Sequence, residues 1–417
     1  MTDMRFIYKI GIYLPFILPL LLIFSRTVAD LSVILICILF LIKSFYENNF
    51  QWLKKEPMIF ISPFVLYLIF FNSPLSINPI DSINYSLGFL RWPIFSFAIA
   101  YWLINSKNSI DNFYWGILIA FFIFLTDFLY QYFIDSGGIF NLSGARQPMR
   151  LTVPFSANLI PGRFILFYTF ILSGLLLISS KINEKLKMIN LKITLVILLG
   201  AFCVFISGER MVFLIYLSSS FLLGIALTFN QKKINYFYFP IIILSITSIL
   251  IAGYFLDPNV FDRAVISSIL KIKNFFSSDY GEVFITSIDK WKTNFFFGSG
   301  LHQFQNTEPI YGFNIFSKGL IHHAHNLPLN LLVETGIIGL TLFYFFIYKL
   351  IDYIFKSYKK NNDLTFFILC LILIYICFFP LHTHFKFSHN WINANVWLIV
   401  GLILSLNKIY EKNYSHK

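Results

Sequence analysis

The sequence predicts an all-α integral membrane protein with about twelve spanning helices. Three observations predict it. Hydrophobic residues make up 57% of the 417-residue chain and charged residues only 12%, against about 25% charged in a soluble domain. The apolar residues fall in long runs divided by short polar breaks, as a lipid solvent demands. Lys and Arg crowd alternate breaks, as they do when successive helices cross in opposite directions.

The runs place helices near 7–24, 28–45, 57–72, 84–104, 112–134, 161–180, 191–206, 211–229, 237–256, 326–350, 364–380 and 391–408. Residues 1–417 form one polytopic domain, and a long loop, 257–325, is inserted before the tenth helix. The first run lacks a small-residue cleavage site and a second run soon follows, so it reads as a retained helix. One set of breaks, with both termini, holds Arg5, Lys9, Lys43, Lys54, Lys55, Lys107, Lys181, Lys185, Lys187, Lys192, Lys232, Lys233, Lys349, Lys356, Lys359, Lys360, Lys408, Lys412 and Lys417, which is 19 of the 32 cations. That side is cytoplasmic by the positive-inside rule, and so are both termini. The same bias accounts for the net charge of +12 without nucleic acid. Cys37, Cys203, Cys370 and Cys377 lie inside apolar runs and read as free thiols.

The arginines are distributed differently. Seven of the eight lie on the outer side: Arg26, Arg91, Arg146, Arg150, Arg163, Arg210 and Arg263. Topology needs only positive charge, whereas a guanidinium fork grips phosphate or carboxylate at two points. The set therefore points to an anionic ligand at the outer face, with isolated interfacial anchors as the plainer alternative.

Four constellations could carry chemistry. Ile321-His322-His323-Ala324-His325-Asn326 opens the tenth helix, and Asn326, Asn330 and Glu334 follow at i, i+4, i+8 as one polar stripe. Glu334 lies about 12 Å below Asn326, where a carboxyl group needs a partner or a wet cavity. His325 stands at the boundary, where an imidazole can take a proton near neutral pH. A zinc site at the three histidines is the weaker reading, because no Cys or acidic residue is close by. Ser207-Gly208-Glu209-Arg210 is a tight polar break that puts Arg210 at a helix start. A cation there opposes the helix dipole, so a bound anion explains it better than helix stability does. An ordinary turn with a Glu–Arg pair is the alternative. Asp127, Tyr130 and Gln131, then Arg150, Pro154-Phe155 and Pro161-Gly162-Arg163, with Arg91, read as cavity lining. Gly298-Ser299-Gly300, after Trp291 and Phe295 to Phe297, reads as a turn that returns the long loop to the membrane.

At these residues the chain resembles the O-antigen ligase and O-antigen polymerase superfamily. The match rests on His325-Asn326, nine intervening residues, and then Gly336-Ile337-Ile338-Gly339-Leu340. It is supported by Ser207–Arg210, Phe297-Gly298-Ser299-Gly300, Asp127 to Gln131, Arg150 to Gly162, and His382, Asn390-Trp391 and Trp397.

The resemblance implies a GT-C-like, all-helical bacterial inner-membrane glycosyltransferase with its active site at the periplasmic face and no metal or other cofactor. Its partners would be an undecaprenyl diphosphate-linked glycan donor, membrane lipids, and lipid A-core (for a ligase) or a second lipid-linked glycan (for a polymerase). Carried over, Arg210 would bind the diphosphate and His325 would activate the acceptor hydroxyl. Glu334 is the third catalytic candidate, nine residues from His325 and about 180° round the helix, so the two do not form a dyad. Arg263, Arg150, Arg163, Arg91, Asn326 and Gln131 are the candidate substrate-binding residues. The family takes a second Arg from the long loop. Here that loop holds only Arg263, and Tyr280-Gly281-Glu282 has none, so Arg150 or Arg163 could substitute. The His-Asn spacing and the Ser-Gly-Glu-Arg form favour ligase over polymerase. A transporter of an anionic lipid or sugar is the rival from another class; it predicts repeat symmetry that the two halves lack.

Overall fold

The computed structural model describes residues 2–134, 137–139, 151–152, 160–183, 189–229, 238–308, 323–380 and 389–414. They are helical, with no strand among the described residues. In order the helices are α1 (Thr2–Phe24), α2 (Arg26–Tyr46), α3 (Glu56–Tyr67), α4 (Pro79–Phe89), α5 (Arg91–Ala98), α6 (Lys107–Phe133), α7 (Pro161–Asn183), α8 (Ile189–Ile206), α9 (Arg210–Phe229), α10 (Tyr238–Leu256), α11 (Pro258–Phe261), α12 (Ser267–Lys273), α13 (Asp279–Thr293), α14 (Leu327–Asn361), α15 (Leu364–Phe378) and α16 (Asn390–Tyr414). Among the described residues seven helices are long and apolar enough to cross a membrane, and three shorter apolar helical segments accompany them. The chain is a multi-pass membrane protein.

Burial sorts the helices. The apolar stretches of α7 and α16 are almost wholly enclosed, whereas most of α1 and α2 faces outward. The outward positions carry Ile12, Leu31, Leu35, Trp115, Phe122 and Leu214, the side chains a lipid-facing surface calls for. The four cysteines are free and buried, as their apolar settings predict.

Two expected helices depart from a simple span. The run at 84–104 is two helices, broken at Leu90. Pro93 has no N–H to offer the carbonyl of Phe89, so the ladder stops and restarts there. The break places Arg91 at the first position of α5.

The second departure is in α14, which bends at Gly336 (φ 67°, ψ −175°). That region of backbone space is essentially reserved for glycine. The carbonyls freed by the bend are taken up by the returning loop. Ser299 N donates to Val333 O (2.8 Å) and Gly300 N to Glu334 O (2.9 Å), while Ile337 N donates to Phe295 O (3.0 Å). Asn72 and Tyr67 seal the joint, through Asn72 Nδ2 to Glu334 O (2.9 Å) and the Tyr67 hydroxyl to Thr335 O (2.8 Å). The two glycine motifs of the sequence are thus the two halves of one interlock. Gly336→Ala should lower stability by about 3 kcal/mol, because its Cβ would sit 2.2 Å from the Phe296 carbonyl oxygen. Thermal unfolding in nanodiscs tests this, with Gly88→Ala as the mild control, where the nearest atom is the tip of Arg91 at 3.4 Å. An unchanged melting temperature for Gly336→Ala would refute the interlock.

The long loop is structured. Phe284, Ile288 and Trp291 on α13 pack over Phe304, Ala324, Leu329 and Val333, so α13 roofs the start of α14. Lys290, buried beneath, donates to Phe304 O (2.8 Å) and holds residues 301–307 against α13. Its enclosure lowers the Lys290 pKa from the usual lysine value.

Candidate active site

The Ser207–Glu209 break turns at the same end of the bundle as the start of α7. Glu209 Oε1 accepts from Gly162 N (2.6 Å), so its carboxylate caps the positive end of α7. Arg163, one residue further on, is fully buried and within the electrostatic reach of Glu209. Arg210 is the first residue of α9. Arg263, in the π turn Asp262–Ile266, donates Nε–H to the carbonyl of Gly208 (3.0 Å). Three guanidiniums therefore surround one four-residue turn that supplies a single carboxylate. Arg163 Nε and Nη2 and Arg210 Nε and Nη1 are buried, with no hydrogen-bond partner among the described residues.

A short helical stretch carries this corner toward His325. It runs through Asp262–Ile266 and α12 (Ser267–Lys273), and Lys271 lies eight residues, about 12 Å, beyond Arg263. Lys271 Nζ lies 5.0 Å over the Tyr280 ring. Tyr280 meets the His325 ring edge-on at 6.4 Å, and His323 lies against His325 with ring centres 3.9 Å apart. Lys271 and Tyr280 are the residues the sequence reading missed. It attends to Tyr280-Gly281-Glu282 only for the Arg that is absent there.

His325 is half-buried and takes a left-handed backbone conformation (φ 48°) just ahead of α14. The helix entry is fixed on both sides. Asn326 Oδ1 caps Leu329 N (3.0 Å), and Leu327 N donates to Pro380 O (3.0 Å). Asn330 Oδ1 accepts from Ala324 N (3.4 Å), which ties the His325 loop to the helix stripe below it. Glu334 is buried at the deep end of that stripe, and its charge reaches Tyr85.

The other candidates are placed as follows. Both ends of the Gln131 amide are engaged by Thr152: Nε2 donates to its Oγ1 (3.1 Å) and Oε1 accepts from its N–H (3.0 Å). Arg91 pairs with Asp30 (3.1 Å) and lies over the Trp92 ring. Asp127 Oδ1 accepts from Ile139 N (2.6 Å). Arg150, His322 and His382 lie outside the described residues. His389 caps the start of α16 by accepting from Ile392 N (3.4 Å).

No curated protein matches the chain. Residues 195–344 match the family model described as O-Antigen ligase. The matched stretch runs from α8 to beyond the bend of α14. It contains Ser207–Arg210, Arg263, the Gly298–Gly300 turn, His325, Glu334 and Gly336. The match over residues 195–344 supports the chain's resemblance to the O-antigen ligase and O-antigen polymerase superfamily.

Proposed function

We propose that this protein is an O-antigen ligase-type glycosyltransferase. In this reading it has twelve crossings, the seven long and three shorter apolar helices together with α10 and the α4–α5 pair, and lies in the bacterial inner membrane with both termini cytoplasmic. It moves a glycan from undecaprenyl diphosphate to lipid A-core at the periplasmic face. The observation that carries the reading is the arginine corner. Guanidinium nitrogens of Arg163 and Arg210 are buried there without a protein partner among the described residues. Buried charge left unpaired is costly, and an anion relieves it. A diphosphate offers acceptor oxygens to more than one guanidinium at once.

In this reading the acceptor hydroxyl oxygen attacks the anomeric carbon of the donor sugar. The bond from that carbon to the diphosphate oxygen breaks, and the diphosphate leaves with the bonding electrons. Arg210, with Arg263 and Arg163 beside it, neutralises the growing charge. His325 takes the hydroxyl proton. Lys271 supplies a further cation between the corner and His325. Asn326 and Glu334 define the polar wall along α14.

The test is transfer by purified protein given undecaprenyl diphosphate-linked glycan with either lipid A-core or a second carrier-linked glycan, in the presence of chelator. Glycan on lipid A-core is the expected product, and undiminished transfer in chelator is expected of a metal-independent enzyme. Growth of the carrier-linked chain would make the protein a polymerase. No product with either acceptor, across matched glycans, would favour the transporter.

A further inference from the structure

A cleft of about 270 Å³ opens away from the arginine corner, with none of Arg163, Arg210 and Arg263 in its lining. It lies between α2, α4, α5, the start of α16 and the loop at Leu301-His302. Its polar lining is Arg26, Arg91, Asn84, Asn390, Tyr85 and His302. The first turn of α16 separates the two sites. Asn390 lines the cleft, and the next residue, Trp391, packs edge-on against Phe164 (5.8 Å), the neighbour of Arg163.

The cleft is built, with its groups held in place. Asp30 bridges two lining residues, pairing with Arg91 Nη2 (3.1 Å) and accepting from Asn390 Nδ2 (3.0 Å). His302 holds a left-handed backbone conformation (φ 65°) and stacks on Tyr85 with ring centres 4.1 Å apart. Gln303 fastens that loop to α4 through Asp81 (2.9 Å). Strain of this kind in a non-glycine residue persists only where the surroundings impose it, and it clusters at ligand sites. Asp30 pairs with one of the two guanidiniums, Arg91, and leaves the exposed Arg26 as the cation the cleft offers a ligand, while the charges of Asp81 and Glu334 act on Tyr85.

We propose that this cleft binds the anionic saccharide head of the acceptor. The stacked Tyr85–His302 pair offers an aromatic face to the C–H side of a sugar ring. The carboxamides of Asn84 and Asn390 suit hydroxyl groups, since each presents a donor and an acceptor. Arg26 takes the phosphate or carboxylate. The cleft's place as acceptor site rests on the transferase reading; its binding of a charged sugar does not.

The experiment therefore measures binding without turnover. Full-length protein in zwitterionic nanodiscs is titrated with glucose 6-phosphate, glucose and inorganic phosphate by ligand-observed NMR. Arg26→Ala, Asn84→Ala and Arg210→Ala are run in parallel, with melting temperatures to confirm folding. Glucose 6-phosphate should bind more tightly than glucose or phosphate. Arg26→Ala should weaken it about tenfold, and Asn84→Ala should weaken it less. Loss of binding in Arg210→Ala with Arg26→Ala unaffected would overturn the proposal, as would no binding at all. Complete displacement by nanodiscs containing phosphatidylglycerol would also overturn it, assigning the cleft to a lipid headgroup. In the transfer assay Arg26→Ala should raise the acceptor KM and leave the donor KM as it was.

Discussion

Arg210→Ala is expected to reduce glycan transfer by about two to three orders of magnitude and, at the same time, to leave the ligand-free protein at least as heat-stable as the parent. The combination separates function from structure. Arg210 stands at the first position of α9, where a cation opposes the helix dipole. Its Nε and Nη1 are buried without a hydrogen-bond partner among the described residues. Removing such a group relieves the apo protein of two buried, unsatisfied guanidinium nitrogens on a partly buried side chain, and replacing buried charge with an apolar side chain is often neutral or stabilising. Donor reverses the comparison. A ligand that binds only the folded state raises its stability by mass action, so undecaprenyl diphosphate should raise the melting temperature of the parent and not of Arg210→Ala. Arg210→Lys should fall between the two, because it keeps the charge and loses the planar fork. A lower melting temperature for ligand-free Arg210→Ala would make Arg210 a structural group and remove the main support for the diphosphate site.

The helices were legible because lipid imposes a rule that a single sequence can display: apolar runs long enough to span, with cations between them. Arg210 and His325 were legible for a related reason. Each is a costly residue in its local setting, a cation at a helix start or an imidazole at a boundary, and local cost is visible without tertiary knowledge. Joints between distant segments were not legible. Helix-compatible sequence continues on both sides of Gly336, so its periodicity does not show that α14 bends there or that Phe295 to Gly300 fills the gap. Arg263 reaches Gly208 across 55 residues, and the sequence leaves open whether it, Arg150 or Arg163 is the second arginine. Arg26 reads alone as an interfacial anchor. Its meaning changes once Tyr85, His302 and Asn390 are seen around the same cleft.

His325→Asn is the sharper test of the base, and asparagine is the right replacement for a backbone reason. The residue sits at φ 48°, where alanine would add strain of about 1–2 kcal/mol and asparagine is tolerated. A loss seen with alanine would mix a distorted helix entry with a missing imidazole. Asparagine keeps the turn and a polar side chain but cannot take a proton. Transfer should fall about 10²- to 10⁴-fold, while the donor-induced rise in melting temperature survives, in contrast to Arg210→Ala. That split places Arg210 on donor binding and His325 on the chemical step. Tyr280→Phe serves as the companion, because the ring that faces His325 is kept and only its hydroxyl is lost. If His325→Asn transferred at the parental rate and Tyr280→Phe did not, the proton would pass to the tyrosine. If both were unimpaired, proton removal would belong to neither side chain, and the stripe from Asn326 to Glu334 would be left as a binding wall alone.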